Sequence, residues 1–156
     1  MEQLRTKIDK VLEIILISLF SFMVINVLWQ VASRYIFNSP SPFTDELSRY
    51  ILIWVGLLGA AYTTGQSKHV AIDMIENKFS EETLAKLNLL MHIIVSLFAL
   101  VAMVIGGARL VLISLQLEQT SSALHIPLGY VYTVVPLSGL LIAYYSISDF
   151  KTSRAK

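Results

Sequence analysis

The chain contains 156 residues, of which 55% are hydrophobic and 15% are charged, and its formal net charge is +1. With a mean hydropathy of +0.66, this balance is typical of an integral membrane protein rather than of a soluble domain. The near-neutral charge gives no case for binding nucleic acid, because the Lys and Arg residues are scattered at segment ends and form no basic stripe. The absence of cysteine excludes disulfides, thiolate zinc sites and iron–sulfur clusters.

Four apolar stretches are long enough to cross a bilayer as helices. A hydrocarbon core ~30 Å thick requires about 20 apolar residues per helix. The sequence therefore predicts an all-α integral membrane protein, a single domain over 1–156 with transmembrane helices at about 11–32, 44–64, 84–115 and 126–150.

The orientation follows from the distribution of Lys and Arg. The two tails and the polar stretch over 65–86 hold nine of the chain's 12 Lys and Arg residues; the other three are Arg34, Arg49 and Arg109. Because short cytoplasmic segments are enriched in these residues, both termini are predicted to be cytoplasmic.

The first predicted helix carries a polar stripe. Asn26, Gln30 and Ser33 project within about 60° of one another at the ~100° turn per residue of a helix. A polar group that faces lipid leaves its hydrogen bonds unmade, so the stripe is expected to face another helix. Interhelical hydrogen bonding is favoured over a solute-lining role.

The densest charge cluster surrounds the first loop. It consists of Arg34, Asp45, Glu46 and Arg49. Asp45 and Glu46 lie four and three residues before Arg49, so each can pair with it along one helix. An ion-paired clamp that holds the first hairpin is favoured over a site for a coupling ion, because the cluster lies at the membrane boundary.

The second predicted helix has small residues on one face, namely Gly56, Gly59, Ala60 and Thr63. Such a face lets two helix backbones approach closely, and the neighbour can belong to this chain or to another subunit. Trp54 is expected to fill interhelical space or to anchor the helix near the interface.

The stretch between the second and third spans contains Ile72, Ile75 and Phe79 at helical spacing. This pattern predicts a short amphipathic helix on the membrane surface. In the fourth span, Pro136 cannot donate a backbone bond to the carbonyl of Tyr132, so a kink is expected there. Gly139 leaves room for a neighbour at the kink.

Two other functional classes remain open from the residues alone. A self-contained four-helix exporter would depend on Glu13, although this residue lies near the interface, where it can snorkel. A haem-bearing membrane anchor requires facing histidines, and of His69, His92 and His125 only His92 lies within a predicted span.

A series of short motifs resembles the small, DctQ-type membrane subunit of tripartite ATP-independent periplasmic (TRAP) transporters. The motifs are RYIFN at 34–38, DELSRY at 45–50, Trp54 with GAA at 59–61, HVAID at 69–73, and SALHIP at 122–127 followed by Tyr132 and Pro136. The resemblance covers nearly the whole chain. Phe43 departs from it, because many members are expected to have Trp there.

The resemblance implies a scaffold subunit of a sodium-coupled importer of organic acids, of the C4-dicarboxylate or sialic acid type, in a bacterial inner membrane. The implied partners are a large elevator-type membrane subunit, a periplasmic binding protein that the small subunit helps to dock, and membrane phospholipids. The chain is not expected to be an enzyme or to bind a cofactor or metal. The interface or structural residues expected are Asn26, Gln30, Arg34, Asp45, Glu46, Arg49, Trp54, Gly56, Gly59, Ala60 and Pro136.

Overall fold

A computed structural model describes residues 2–39, 41–66 and 81–154, and the regular secondary structure in these ranges is helical. The helices are α1 (Glu2–Tyr35), α2 (Pro42–Gly65), α3 (Glu81–Phe98), a π-helical segment (Ala99–Gly106), α4 (Gly107–Gln116), α5 (Leu128–Tyr132) and α6 (Val134–Arg154). The predicted all-α class is confirmed. The predicted surface helix around Ile72, Ile75 and Phe79 lies outside the described residues.

Helix α2 lies between α1 and α6, and α6 also packs against α3 and the π-helical segment. Leu12 of α1, Leu58 of α2 and Tyr145 of α6 belong to one cluster of buried side chains. A second cluster joins α2, the π-helical segment and α6 through Ala61, Ala99, Met103, Ile142 and Ala143. Two connections, residues 36–41 and 117–127, define what we call the loop end of the bundle; the beginning of α1 and the end of α6 lie at the opposite, terminal end.

The π-helical segment and α6 cross closely at a glycine. A Cβ atom placed on Gly139 would lie 2.6 Å from the Cβ of Met103 and 3.1 Å from the carbonyl oxygen of Ala99. Only a residue without a side chain therefore fits at this crossing. The close packing stabilises the contact through dispersion, since lipid provides no hydrophobic driving force between helices.

The fourth helical stretch is interrupted at Thr133, between α5 and α6. Pro136, expected to kink a continuous helix, is instead the third residue of α6. The first turn of a helix tolerates proline because its N–H groups have no partner within the helix. The interruption directly follows Tyr132, whose carbonyl a proline at 136 cannot bond.

Three helical stretches are long and apolar enough to cross a membrane: Arg5–Tyr35, Lys86–Gln116 and Leu128–Asp149. Large apolar side chains such as Ile25, Leu28 and Ile105 are exposed on their outer surfaces, as expected for contact with lipid. Helix α2 is about 36 Å long at 1.5 Å per residue, but Asp45, Glu46, Arg49 and its small residues lower its hydropathy. Its membrane crossing therefore stays a prediction.

Candidate functional site

Amide side chains of α1 join it to α2 near the loop end. Asn26 is buried, and its Nδ2 donates to the carbonyl of Thr44 and to Ser48 Oγ, both at 2.7 Å. Gln30 Nε2 donates to Asp45 Oδ1 at 3.0 Å. Asn26 and Gln30 thus make the interhelical bonds that the spacing of the polar stripe suggested. The hydroxyl of Ser33, the third member of the stripe, instead donates to the carbonyl of Gln30 within α1 at 2.8 Å.

Of the two arginines at the loop end, only Arg49 forms an ion pair within the described ranges. Arg49 pairs with Asp45, and both side chains are largely open to solvent, at 72% and 47% exposure. Arg34 lies over the ring of Tyr35, with its guanidinium carbon 6.0 Å from the ring centroid. Within the described ranges, no carboxylate pairs with Arg34. The ion pair at this end is therefore a local contact on α2.

Glu46 bonds to a different part of the chain from the one that its spacing indicated. Its carboxylate accepts bonds from the amides of Ala123 and Leu124, at 2.7 and 3.0 Å, and from the amide of Ser122 at 3.2 Å. The hydroxyl of Tyr50 also donates to it at 2.8 Å. The expected pairing of Glu46 with Arg49 is therefore corrected: this carboxylate ties α2 to the connection before α5.

The turn that binds Glu46 gathers successive amides on one side. The amide of His125 donates to the carbonyl of Ser121 at 3.2 Å, and the amide of Ser121 donates to the carbonyl of Ile126 at 2.9 Å. His125 adopts a left-handed conformation with φ of 54°. Consecutive amides in such turns form a concave donor site for an anion, and here a carboxylate of the same chain occupies it.

Trp54 lies within the bundle. Its indole N–H donates to the carbonyl of Val131 at 3.0 Å, and its ring packs against the cluster containing Leu58 and Val134. This contact links α2 to the interrupted fourth stretch. Of the two roles expected for Trp54, the structure shows the filling of interhelical space.

The small-residue face of α2 points away from the other helices of the chain. A Cβ atom placed on Gly56 or Gly59 would meet no atom within 4 Å. Gly56, Ala60 and Thr63 are exposed. The close approach that these residues permit is therefore not used by a neighbouring helix within the described part of this chain.

A second polar cluster, at the terminal end, escaped the sequence interpretation. Arg5 pairs with Asp149 and also donates to the carbonyl of Gly65. Its guanidinium carbon lies 5.6 Å from the ring centroid of Tyr145, whose hydroxyl donates to Asp9. Only the charges at the ends of apolar stretches hinted at this cluster, because its partners are up to 144 residues apart.

The polar groups at both ends are engaged mainly with one another. At the loop end, Asn26, Gln30 and Glu46 link α1, α2 and the turn before α5. At the terminal end, Arg5 joins α1 to α2 and α6. Such an arrangement holds helices together, and it defines the class: a small helical membrane protein in which these polar side chains join helices to one another.

The family follows from comparison with known proteins. Residues 23–155 match the family model described as "Tripartite ATP-independent periplasmic transporters, DctQ component". Because the match covers more than half of the chain, the protein belongs to this family, whose members are subunits of membrane transporters. It is accordingly a multi-pass protein of the inner membrane.

Individual relatives agree with this family. A TRAP transporter small permease protein of Haemophilus influenzae is 41% identical over 78 residues, which are 50% of this chain and 48% of the relative. The sialic acid TRAP transporter small permease protein SiaQ of Vibrio cholerae is 28% identical over 140 residues, 86% of this chain and 81% of the relative.

A further match is to a much larger protein. The sialic acid TRAP transporter permease protein SiaT of H. influenzae is 34% identical over 53 residues. These residues are 34% of this chain but 9% of SiaT. A stretch similar to this chain is thus part of the same polypeptide as a permease in that relative.

Proposed function

We propose that the chain is the non-catalytic scaffold subunit of a sodium-coupled TRAP importer of organic acids, of the C4-dicarboxylate or sialic acid type. A large elevator-type membrane subunit carries the solute, and this chain braces its stationary part. Membership of the DctQ family and the similarity to SiaQ support this proposal.

The observation that carries the proposal is the engagement of the polar side chains in helix-to-helix bonds. A carrier of an anionic solute needs binding groups that are free near the membrane midplane, commonly at the ends of broken helices. Here the one broken stretch in the described ranges is interrupted at Thr133, close to the loop end, and the cationic Arg5 is held by Asp149. Bracing requires rigid internal bonds, and the chain has them at both ends.

The small-residue face of α2 is the surface that we assign to the large subunit. Gly56, Gly59, Ala60 and Thr63 line it, and α2 has no bulky side chain there to keep another backbone away. Close packing on small residues is the usual basis of helix association in lipid. The similarity to a segment of SiaT supports a partner of the permease type, since a small-subunit-like stretch and a permease share one chain there.

The same proposal places the termini in the cytoplasm, on the side with nine of the 12 Lys and Arg residues. The loop end then faces the periplasm. Two stretches at this end, residues 34–46 and 118–127, are joined by the bonds of Glu46. Together they offer a surface where a periplasmic binding protein can dock.

Reconstitution of the transporter tests the scaffold function. The chain is expected to co-purify with a large permease, and sodium-driven uptake into vesicles should be lost when the chain is omitted. Uptake by the chain alone, or undiminished uptake without it, would contradict the proposal.

The contact face has its own test, with a matched pair of variants. Gly56→Leu places a bulky side chain on the face and should release the permease during purification, whereas Leu52→Ile, on the same exposed side of α2, should not. Circular dichroism of both variants verifies that the chain itself is folded. Retention of the permease by folded Gly56→Leu would remove the assignment of this face and leave the scaffold function standing.

A further inference from the structure

An apolar groove lies along the seam between α1 and α6. Its volume is about 360 Å³, within the size range of small-molecule sites. Val11 and Ile15 form the α1 wall, Leu141 lies on the α6 wall, and Trp54 and Leu58 of α2 form the floor. Apart from Lys7 at one end, every lining side chain is apolar or aromatic, so the groove is suited to hydrocarbon.

The length of the groove matches one leaflet. Its α1 residues run from Lys7 to Ile15, a rise of about 12 Å at 1.5 Å per residue. The hydrocarbon core of a bilayer is ~30 Å thick, so the groove covers less than half of it. A transmembrane helix of a partner would need a groove of full bilayer length, whereas a single acyl chain needs only this depth.

The polar end of the groove is cationic. Lys7 is exposed and lies where α1 leaves the apolar region, and Lys10 follows one turn later. The nearby carboxylates already have partners, since Asp149 binds Arg5 and Asp9 binds Tyr145. Within the described ranges no carboxylate neutralises Lys7. Its ammonium group is therefore available at the depth of the headgroups, with its aliphatic stem along the groove.

We propose that this groove binds one acyl chain of an anionic phospholipid, whose headgroup phosphate contacts Lys7. The apolar walls, the one-leaflet length and the exposed lysine at the mouth, which has no carboxylate partner among the described residues, together fit this ligand. Basic pockets between membrane helices are known to select such headgroups. The lipid fills the seam that α1 and α6 leave open where both pack on α2. This site does not depend on the identity of the transported solute or on the assignment of the α2 face.

Trp54 on the floor provides the measurement. In the Trp29→Phe variant of the full chain, Trp54 is the single tryptophan, and lipids brominated on their acyl chains quench it on contact. Brominated phosphatidylglycerol is titrated against brominated phosphatidylcholine in mixed micelles. The site predicts saturable quenching, with phosphatidylglycerol preferred by about fivefold, the effect of roughly one headgroup-level lysine. Quenching that rises linearly with lipid, or equal affinity for both lipids, would overturn the proposal.

Two pairs of variants locate the effect. Lys7→Gln should abolish the preference for phosphatidylglycerol, whereas Lys10→Gln, which removes the same charge outside the groove, should keep most of it. Val11→Phe should weaken quenching by both lipids because it fills the groove, and Ile17→Phe, on the opposite side of α1, should not. Equal behaviour within the lysine pair assigns the selectivity to the general surface charge and refutes the site, even if Val11→Phe fails to fold.

Discussion

Polar bonds join the helices at both ends of the bundle, but the two ends differ in how far apart in the sequence the bonded residues lie. At the loop end, Asn26 and Gln30 bond from α1 to the first turns of α2, 15 to 22 residues away. At the terminal end, Arg5 and Asp9 bond to Asp149 and Tyr145, 136 to 144 residues away. The cluster at the loop end joins the two helices of one hairpin, and the cluster at the terminal end joins α1 to α6.

The two clusters also differ in exposure, which determines what their ion pairs can contribute to stability. At the loop end, the side chains of Arg49 and Asp45 are 72% and 47% exposed, and exposed pairs contribute little. At the terminal end, the side chains of Arg5 and Asp149 are only 24% and 11% exposed. Charge-assisted bonds in such surroundings are stronger than exposed ones.

The largest expected effect comes from the terminal end. Arg5→Met removes the ion pair with Asp149, the bond to Gly65 and the contact over Tyr145, and should lower the free energy of unfolding by about 2 to 3 kcal/mol. Unfolding in mixed dodecyl sulfate micelles measures the change. Lys10→Gln, on the same helix, serves as the control and should change little. Equal losses for the two variants would erase the distinction between the ends.

A smaller effect is expected at Gly65, where α2 meets α6. A Cβ atom there would lie 2.7 Å from ring atoms of the fully buried Tyr145, whose hydroxyl is bound to Asp9. Gly65→Ala should therefore cost about 2 kcal/mol through overpacking. Gly56→Ala, where nothing lies within 4 Å, should be neutral or stabilising. An unchanged free energy of unfolding for Gly65→Ala would show that the ring of Tyr145 can move aside without loss of stability.

At the loop end, Glu46→Gln changes local order more than global stability. The neutral amide cannot accept bonds at both atoms from Tyr50 and from the amides of Ala123 and Leu124. Hydrogen exchange at those two amides should accelerate, while exchange in α6 stays unchanged. Arg49→Gln is the comparison, because Arg49 does not touch this turn; the same acceleration there would indicate a general loosening of α2.

The smallest effect is expected for Arg49→Gln. Its pair with Asp45 is largely exposed, so its loss should cost about 0.5 kcal/mol or less in the isolated chain. Arg49 does lie at the loop end of the exposed side of α2, beside the face proposed for the large permease. Arg49→Glu should therefore reduce co-purification of the permease more than it reduces the stability of the chain. A variant that unfolds while it still holds the permease would contradict this prediction.

The helix contacts at the loop end could be predicted because they depend on residues that lie close together in the sequence. Helical spacing placed Asn26 and Gln30 on one stripe, and the cost of unsatisfied polar groups in lipid indicated a helix as their partner. The same local reasoning assigned Glu46 to Arg49, three residues away. It failed there because the amides at 122–124 lie 76 to 78 residues along the chain, and no periodicity relates them to Glu46.

The sequence by itself determined the all-helical class, three of the four predicted apolar spans and the resemblance to DctQ-type subunits, because apolar length and short motifs are properties of contiguous residues. Tertiary structure decided which helices meet: the bonds from Arg5 to α6, the turn that holds Glu46, the crossing at Gly139 and the open face at Gly56. In a membrane all helices are similarly apolar, so burial of hydrophobic surface does not select neighbours. The fit of small residues and a few distant polar partners selects them instead.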